Sequence, residues 1–341
     1  MLVAWFVALP AYAQSVSVDF VPGSDVSVAA DELSTTTDAV EDLIRDEIRD
    51  VWNLNDLQGY LESFANAQAF STRGLMADYA SDFDLLIFGF GGNLSVAASD
   101  EITADDVDRP VDGIAPNLSA MVGLDFERFG LDGFRLFVAG FAADSSFDEF
   151  DIDLRNWGVH GQIKLFGGDG DSTTEYFWDW GGLDITAGIV RATSTLTLEE
   201  ELDTDLQLDS DAGQLSVDLA SNGRFVLEVE AYSIPIELTT NVTLLSIATL
   251  YGGLGTDIQL GDASIDLDLQ GQVTADDPDG SGELDVGTVG IRARDSADAS
   301  PGRIRGLLGV QLNLWVLKAY AQLNTLPGTA TSVALGAKLA F

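Results

Sequence analysis

The sequence predicts an all-β chain: an antiparallel barrel of about 12 to 14 strands, preceded by a short helical segment. Three observations carry this expectation. From Phe83 onward, apolar and polar residues alternate with a period of two. The alternating runs are 9 to 16 residues long and are separated by acidic or Gly-rich turns. One stretch, from Asp38 to about Ala67, departs from that pattern with apolar steps of three and four.

In chain order, the opening MLVAWFVALPAYAQ is apolar from Leu2 to Leu9 and reaches Ala11-Tyr12-Ala13. It reads as an export signal over residues 1–13 with an A-x-A cleavage site, without the usual basic residues at its start; an apolar first strand is the alternative. Residues 14–36 are rich in Ser, Asp and Thr and read as a polar linker. Residues 37–70 carry Val40, Leu43, Ile44, Ile48, Val51, Leu54, Leu57, Leu61 and Phe64 at helical spacing, with a break at Asn53–Asp56. This segment is expected to plug the barrel or to lie as a periplasmic segment. Residues 80–341 are assigned to the barrel.

Fourteen strand candidates fall between Phe83 and Phe341. Near 225–232, Phe225, Leu227, Val229 and Ala231 oppose Glu228, Glu230 and Tyr232, and near 263–275 Ile265, Leu267, Leu269 and Val273 oppose Asp266, Asp268, Gln270 and Gln272. Near 304–324, apolar Leu308, Val310, Leu312, Leu317 and Leu323 oppose Arg305, Gln311, Lys318 and Gln322. Phe150, Ile152 and Leu154 lie out of phase with Trp157, Val159 and Ile163, so a bulge or turn is expected near Arg155 and Asn156. Such alternation fits two arrangements: a soluble sandwich with its apolar face inward, or a membrane barrel with that face toward lipid.

The last ten residues bear on that choice. Val333, Leu335, Ala337, Leu339 and Phe341 share one face of a strand that ends on an aromatic residue. This strand resembles the assembly signal of Gram-negative outer-membrane β-barrel proteins. The resemblance implies a membrane-spanning barrel in the outer membrane of a Gram-negative bacterium, partnered by outer-membrane lipid, lipopolysaccharide and the barrel assembly machinery. Tyr176, Phe177, Trp178 and Trp180 then read as part of an aromatic girdle at a membrane interface.

Composition narrows the function. Sixteen basic and 56 acidic residues give a formal charge of −40, which excludes nucleic acid as a partner. The chain has no cysteine, which removes disulfides, thiol catalysis and thiolate metal sites. The one cation-binding candidate is Asp277-Pro278-Asp279-Gly280-Ser281-Gly282-Glu283-Leu284-Asp285, which resembles an EF-hand calcium loop through Asp277, Asp279, Ser281, Glu283 and Asp285. It has Thr288 where a bidentate Glu belongs. Apart from Ca2+ at this loop, no cofactor is implied. His160, with Asn156 four residues earlier, is the single candidate for hydrolase chemistry, and no nucleophile accompanies it, so the chain is not read as an enzyme.

The leading functional expectation is an outer-membrane channel, porin-like, or a passive transporter for small polar solutes with a preference for cations. Its lumen is expected to be lined by Glu228, Glu230, Asp266, Asp268, Arg292, Arg294, Arg305, Gln311, Lys318 and Gln322. The first alternative is a transporter of hydrophobic compounds: Ser71–Ser81 (STRGLMADYAS) resembles the small-residue segment near the start of outer-membrane fatty-acid transporters, which implies an N-terminal segment that plugs the lumen and an apolar pocket among Phe83, Leu86, Phe88, Phe90, Phe137 and Phe141. The second is a non-conducting structural or adhesive barrel with calcium-binding acidic loops. Counting strands back from the last one puts the loop at 276–284 on the periplasmic side.

Overall fold

The computed structural model describes residues 15–51, 57–81, 83–98, 113–147, 150–167, 177–209, 214–276, 282–302 and 304–341. Strands β1 (Ser15–Pro22), β2 (Leu86–Ala97), β3 (Gly113–Asp125), β4 (Phe134–Phe147), β5 (Phe150–Phe166), β6 (Trp178–Asp209), β7 (Gln214–Leu244), β8 (Ala248–Asp276), β9 (Glu283–Asp298), β10 (Ile304–Leu314), β11 (Leu317–Leu326) and β12 (Ala330–Ala340) form one antiparallel sheet. The helices are α1 (Val26–Glu32), α2 (Thr37–Val51) and α3 (Leu57–Ser71). Within the described sheet of 12 strands, the pairing of β7 with β8 closes a ring that leaves out β9 and β1, so ten strands make the barrel. Closure removes the open edge that lipid does not tolerate.

Strands β6, β7 and β8 are far longer than a membrane crossing requires. Their far halves leave the ring and continue, with β9 and β1, as a curved sheet packed on the helices. We call this the head. Two structural corrections follow. Residues 15–32 are strand β1 and helix α1 and not a linker, because Val16, Val18 and Phe20 alternate inward against β9. The barrel starts at Leu86, and fourteen strands overcount the sheet because β7 and β8 each run through what the pattern divides into separate strands: Ser221-Asn222-Gly223 and Gly261-Asp262 lie inside continuous ladders.

The reason for the length is a change of solvent along each strand. On β7, Ile234, Ile236 and Leu238 point outward while Ser233, Glu237 and Thr239 are buried inside; farther along, Leu227, Val229 and Ala231 are buried and Glu228 points out. The registers align this switch across neighbours. Trp157, Arg191, Tyr232 and Leu260 form one outward cross-strand row, and the next row is Arg155, Thr193, Glu230 and Asp262. On the barrel side of these rows the outward residues are Val159, Ile189, Ile234 and Ile258. Aromatic and basic residues at the change of face are what a lipid–water interface selects. The phase change at Arg155–Asn156 is this interface and not a bulge, since β5 pairs without interruption on both sides there; its register shift lies at Lys164/Phe166.

From Tyr232 to Leu244, strands rising about 3.3 Å per residue and tilted roughly 40° cover roughly 30 Å, enough for the apolar band of a membrane. The opposite interface carries exposed Phe177, Trp178, Trp180, Phe166, Phe129 and Trp315, the last 89% exposed. Tyr176 lies outside the described residues. The head buries its own apolar core, with Val40, Ile44 and Ile48 of α2 packed among Leu206, Val217, Leu219, Leu267 and Ile291. That helical stripe, with Leu61 and Ala65 of α3, is buried against the sheet of the head, while the end of α3 caps the ring, with Ala67 and Phe70 packed on Ala97, Ala115, Leu326 and Ala330.

Candidate functional site

The lumen is occupied by the chain itself. After α3, residues 72–81 run down the inside of the ring, Phe83 is buried at its far end, and the backbone N–H groups of Asp84, Leu85 and Leu86 meet the carbonyl of Phe341. Each level of the wall holds a part of this plug. Near the head, Asn93 donates to the carbonyl of Arg73 and the Arg73 guanidinium lies 3.3 Å from Asp257. Gly74 turns the chain with a φ of +78°, and a Cβ there would sit 2.9 Å from the Gln322 amide carbon. Lower down, Lys338 Nζ is 2.7 Å from Asp78 Oδ1 and 4.3 Å from the Tyr320 ring centroid. Gln162 donates to the Asp78 carbonyl, and Tyr79 Oη donates to Glu237 Oε2 at 2.6 Å. Ser81 donates to Gln311, and Phe83 ends the plug against Phe137 with Arg135 stacked over its ring at 4.7 Å.

Electrostatically this lumen differs from the rest of the chain. Arg73, Arg305 and Lys338 face Asp78, Glu237 and Asp257, three cations against three carboxylates, all buried. Arg305 bridges both remaining acids, with Nε 2.8 Å from Asp257 and its other end on Glu237. Charges removed from water persist only when matched in this way. These six groups balance one another, and Asp184, buried beside Thr239 on the same inner face, adds one further acid.

The expected lumen residues divide. Arg305, Gln311 and Gln322 are buried inside the ring, and Lys318 shares their face. Glu228, Glu230, Asp266, Asp268, Arg292 and Arg294 are not in the lumen; they lie on the outer face of the head, where Arg294 is 74% exposed. Their strands alternate as expected, but there the apolar face turns inward onto helices. They form cross-strand pairs, Arg294–Asp266 at 2.7 Å, Arg292–Asp268 at 3.7 Å and Arg191–Glu230 at 2.7 Å, above shallow hollows of about 600 to 800 Å3.

The apolar pocket is not assembled either: Phe83 and Phe137 pack inside, whereas Phe88 and Phe90 point outward, toward Phe341 and Phe141. His160 is a buried wall residue whose ring fills the space over Gly188. Asn156 donates to Asn117 and to the Leu118 carbonyl, so it spans to β3 and does not orient His160. Of the calcium loop, Asp277, Asp279 and Ser281 lie outside the described residues. Glu283 pairs across the ladder with Asp276, and Asp285 accepts from the Ser24 N–H, which ties β9 to the start of α1. Among the described residues no group of acids and histidines is arranged to hold a metal. The flanking residues Asp276 and Glu283 lie at the far end of the head, and the count of strands back from the last one does not hold, because it took continuous strands as several.

Sequence reasoning pointed to this stretch only through the likeness of Ser71–Ser81 to fatty-acid transporters and through Phe83, and it gave Arg73, Asp78 and Tyr79 no partners. Their signal was an inward-facing wall that changes from polar to apolar partway along three adjacent strands.

A closed antiparallel barrel with an apolar exterior and a polar, charged interior is the architecture of outer-membrane proteins, and it places this chain in an outer membrane. The profile of a protein family described as Lsa36-like matches residues 11–341. No curated protein matches the chain. Among solved structures, the translocator domain of the autotransporter NalP from Neisseria meningitidis is 9% identical, covers 76% of this chain and 90% of its own, and has a TM-score of 0.33. Ail of Yersinia pestis is 11% identical over 75% and 98%, with a TM-score of 0.25. The toluene transporter TbuX of Ralstonia pickettii is 8% identical over 82% and 99%, with a TM-score of 0.26. At such scores these likenesses say nothing about what the chain handles.

Proposed function

The chain belongs to the Lsa36-like family, and we propose that it is a barrel closed at rest whose task is to hold the head, as a binding module, on the outer side of the membrane. The observation that carries this reading is the plug. Displacing it breaks the Arg73–Asp257 and Asp78–Lys338 pairs and the Tyr79–Glu237 bond. At about 3 kcal/mol for each buried pair and about 2 kcal/mol for a hydrogen bond to a charge, the displaced plug lies roughly 8 kcal/mol above the resting one. That is a population on the order of one in a million.

The sidedness rests on the length of the projection at one end of the ring. At one end β6, β7 and β8 run on past the ring as the head, whereas at the other the links 245–247 and 315–316 are short, and in outer-membrane barrels the long projections are extracellular. A second reading, a transporter for small polar solutes that opens when the plug shifts, is favoured by one group of atoms. Thr72 Oγ1, Asn93 Oδ1, Ser95 Oγ, Ser119 Oγ, His160 Nδ1 and Gln162 Oε1 are buried in the lumen without a protein partner.

Planar-bilayer recording of purified protein separates the two. Silence at high protein load, with brief openings appearing in Lys338→Met, is the result expected. Steady conductance of the unaltered protein would overturn the closed-barrel reading.

A further inference from the structure

We infer that the barrel is the conduit for its own N-terminal region: residues 15–71 leave the cell, N-terminus first, through the lumen, and residues 72–83 are the part of that travelling chain that stays behind as the plug. The inference rests on the proposed sidedness of the head.

The topology carries it. Strand β1 and helices α1–α3 belong to the head, yet the chain that follows them enters β2 at the opposite, turn-side end. The only link between the two is the segment lying inside the ring. An exported polypeptide approaches the outer membrane from the periplasm, so the head's N-terminal third must cross to the outer side. The structure records the last position of that crossing.

The lumen sets how the crossing occurs. Eight strands enclose little more than their own side chains, so a ring of ten has room for one extended chain and none for a folded helix pair. The wall fits a single passing strand: Gly91 and Gly158 lie against the plug, where a Cβ at Gly91 would meet Leu75 and Tyr320 and one at Gly158 would meet Met76. Once outside, β1 adds to the free edge of β9 over eight register pairs, and α2 buries Val40, Ile44 and Ile48 on the same sheet. Burial of those apolar side chains makes the crossing one-directional without any nucleotide. The ion pairs of Arg73 and Asp78 then form only when the trailing segment reaches its place, which seals the pore behind the cargo.

The chain has no cysteine, which makes a test with a removable lock direct. An epitope is inserted between Thr35 and Thr36, in the exposed link between α1 and α2, and read with antibody on intact cells. The full chain is compared with two fusions that carry a small disulfide-locked domain ahead of Ser15, one intact and one with its cysteines changed to serine. The expected result is a strong surface signal for the unfused chain and for the cysteine-free fusion, and loss of most of it for the locked fusion. Heat-modifiable barrel should remain in all three, and reductant added to intact cells should restore the signal.

An equal surface signal from the locked fusion would overturn passage through the lumen while leaving the display reading intact. So would a locked fusion whose signal reductant does not restore. Failure of both fusions to form heat-modifiable barrel would also count against it, because cargo that follows barrel closure does not govern closure. A signal from the unfused chain that appears only after the outer membrane is opened would instead remove the display reading itself.

Discussion

The two halves of β7 are built from the same kinds of residue in the same alternation, yet they face opposite worlds. In residues 217–231 the large apolar side chains point inward, onto α2 and β9, and the charges point out. In residues 233–243 the apolar side chains point out and Ser233, Glu237 and Thr239 line the lumen. The backbone ladder to β6 and β8 runs through the change without a break at that row. A sheet therefore needs no turn or domain boundary to pass from water into lipid. It needs a shift of one residue in the phase of its apolar positions.

The strongest way to break this comparison is in the lumen, where the charge balance is tight. Arg305→Met leaves Glu237 and Asp257 buried and facing each other, a loss expected at about 3–5 kcal/mol. The temperature at which the barrel loses its fast gel mobility should drop, while the head in detergent keeps its resistance to protease. Next in size is a charge on the lipid face: Leu254→Lys, at a position 62% exposed halfway along the belt, should cost about 2–4 kcal/mol in bilayers. The comparable change in the head, Asp268→Lys on the outer face, should move stability by less than about 1 kcal/mol.

A core truncation sharpens the contrast from the other side. Leu267→Ala opens a cavity under the helices and should cost about 2–4 kcal/mol of head stability, seen as faster proteolysis of the α2 region with the heat-modifiable shift unchanged. The smallest effect expected is electrostatic. Asp218 faces Asp205 across β6–β7, and the hydrogen bond its protonated carboxyl donates to Asp205, with desolvation and neighbouring acids, raises it above the ordinary range. The folded head holds that proton more tightly than the unfolded chain, so this pair favours folding at acid pH and loses the advantage as pH rises through the raised value. Asp218→Asn should raise the head's melting temperature by about 1–2 °C at pH 7 and leave it unchanged near pH 4.

Much of the architecture was legible in the sequence. The period-2 pattern with its terminal aromatic gave an outer-membrane barrel, and the three-and-four spacing around Val40, Ile44 and Ile48 gave the helices. The direction of the faces was not legible, because period two reports that two sides differ and not which side meets lipid. Glu228, Asp266 and Arg294 were placed in the lumen for that reason.

A finer reading was available. On β6 the apolar phase moves from Leu183, Ile185 and Ile189 to Leu196, Leu206 and Leu208, and on β8 from Leu250, Leu254 and Ile258 to Ile265, Leu267 and Leu269. Three successive segments that shift phase in the same way mark one interface. The plug was harder to see, because Arg73, Asp78 and Tyr79 acquire their partners only from distant strands and their own stretch has neither period.

The measurement that tests the solvent change most directly uses the cysteine-free background. Single cysteines at the outward positions 226, 228, 230, 232, 234, 236 and 238 of β7, each carrying an environment-sensitive fluorophore, are read in liposomes with a lipid-borne and a water-borne quencher. The structure predicts water quenching at 226, 228 and 230, a crossover at 232, and lipid quenching at 234, 236 and 238. Lipid quenching that continues through 226, or water quenching that continues through 238, would contradict the account.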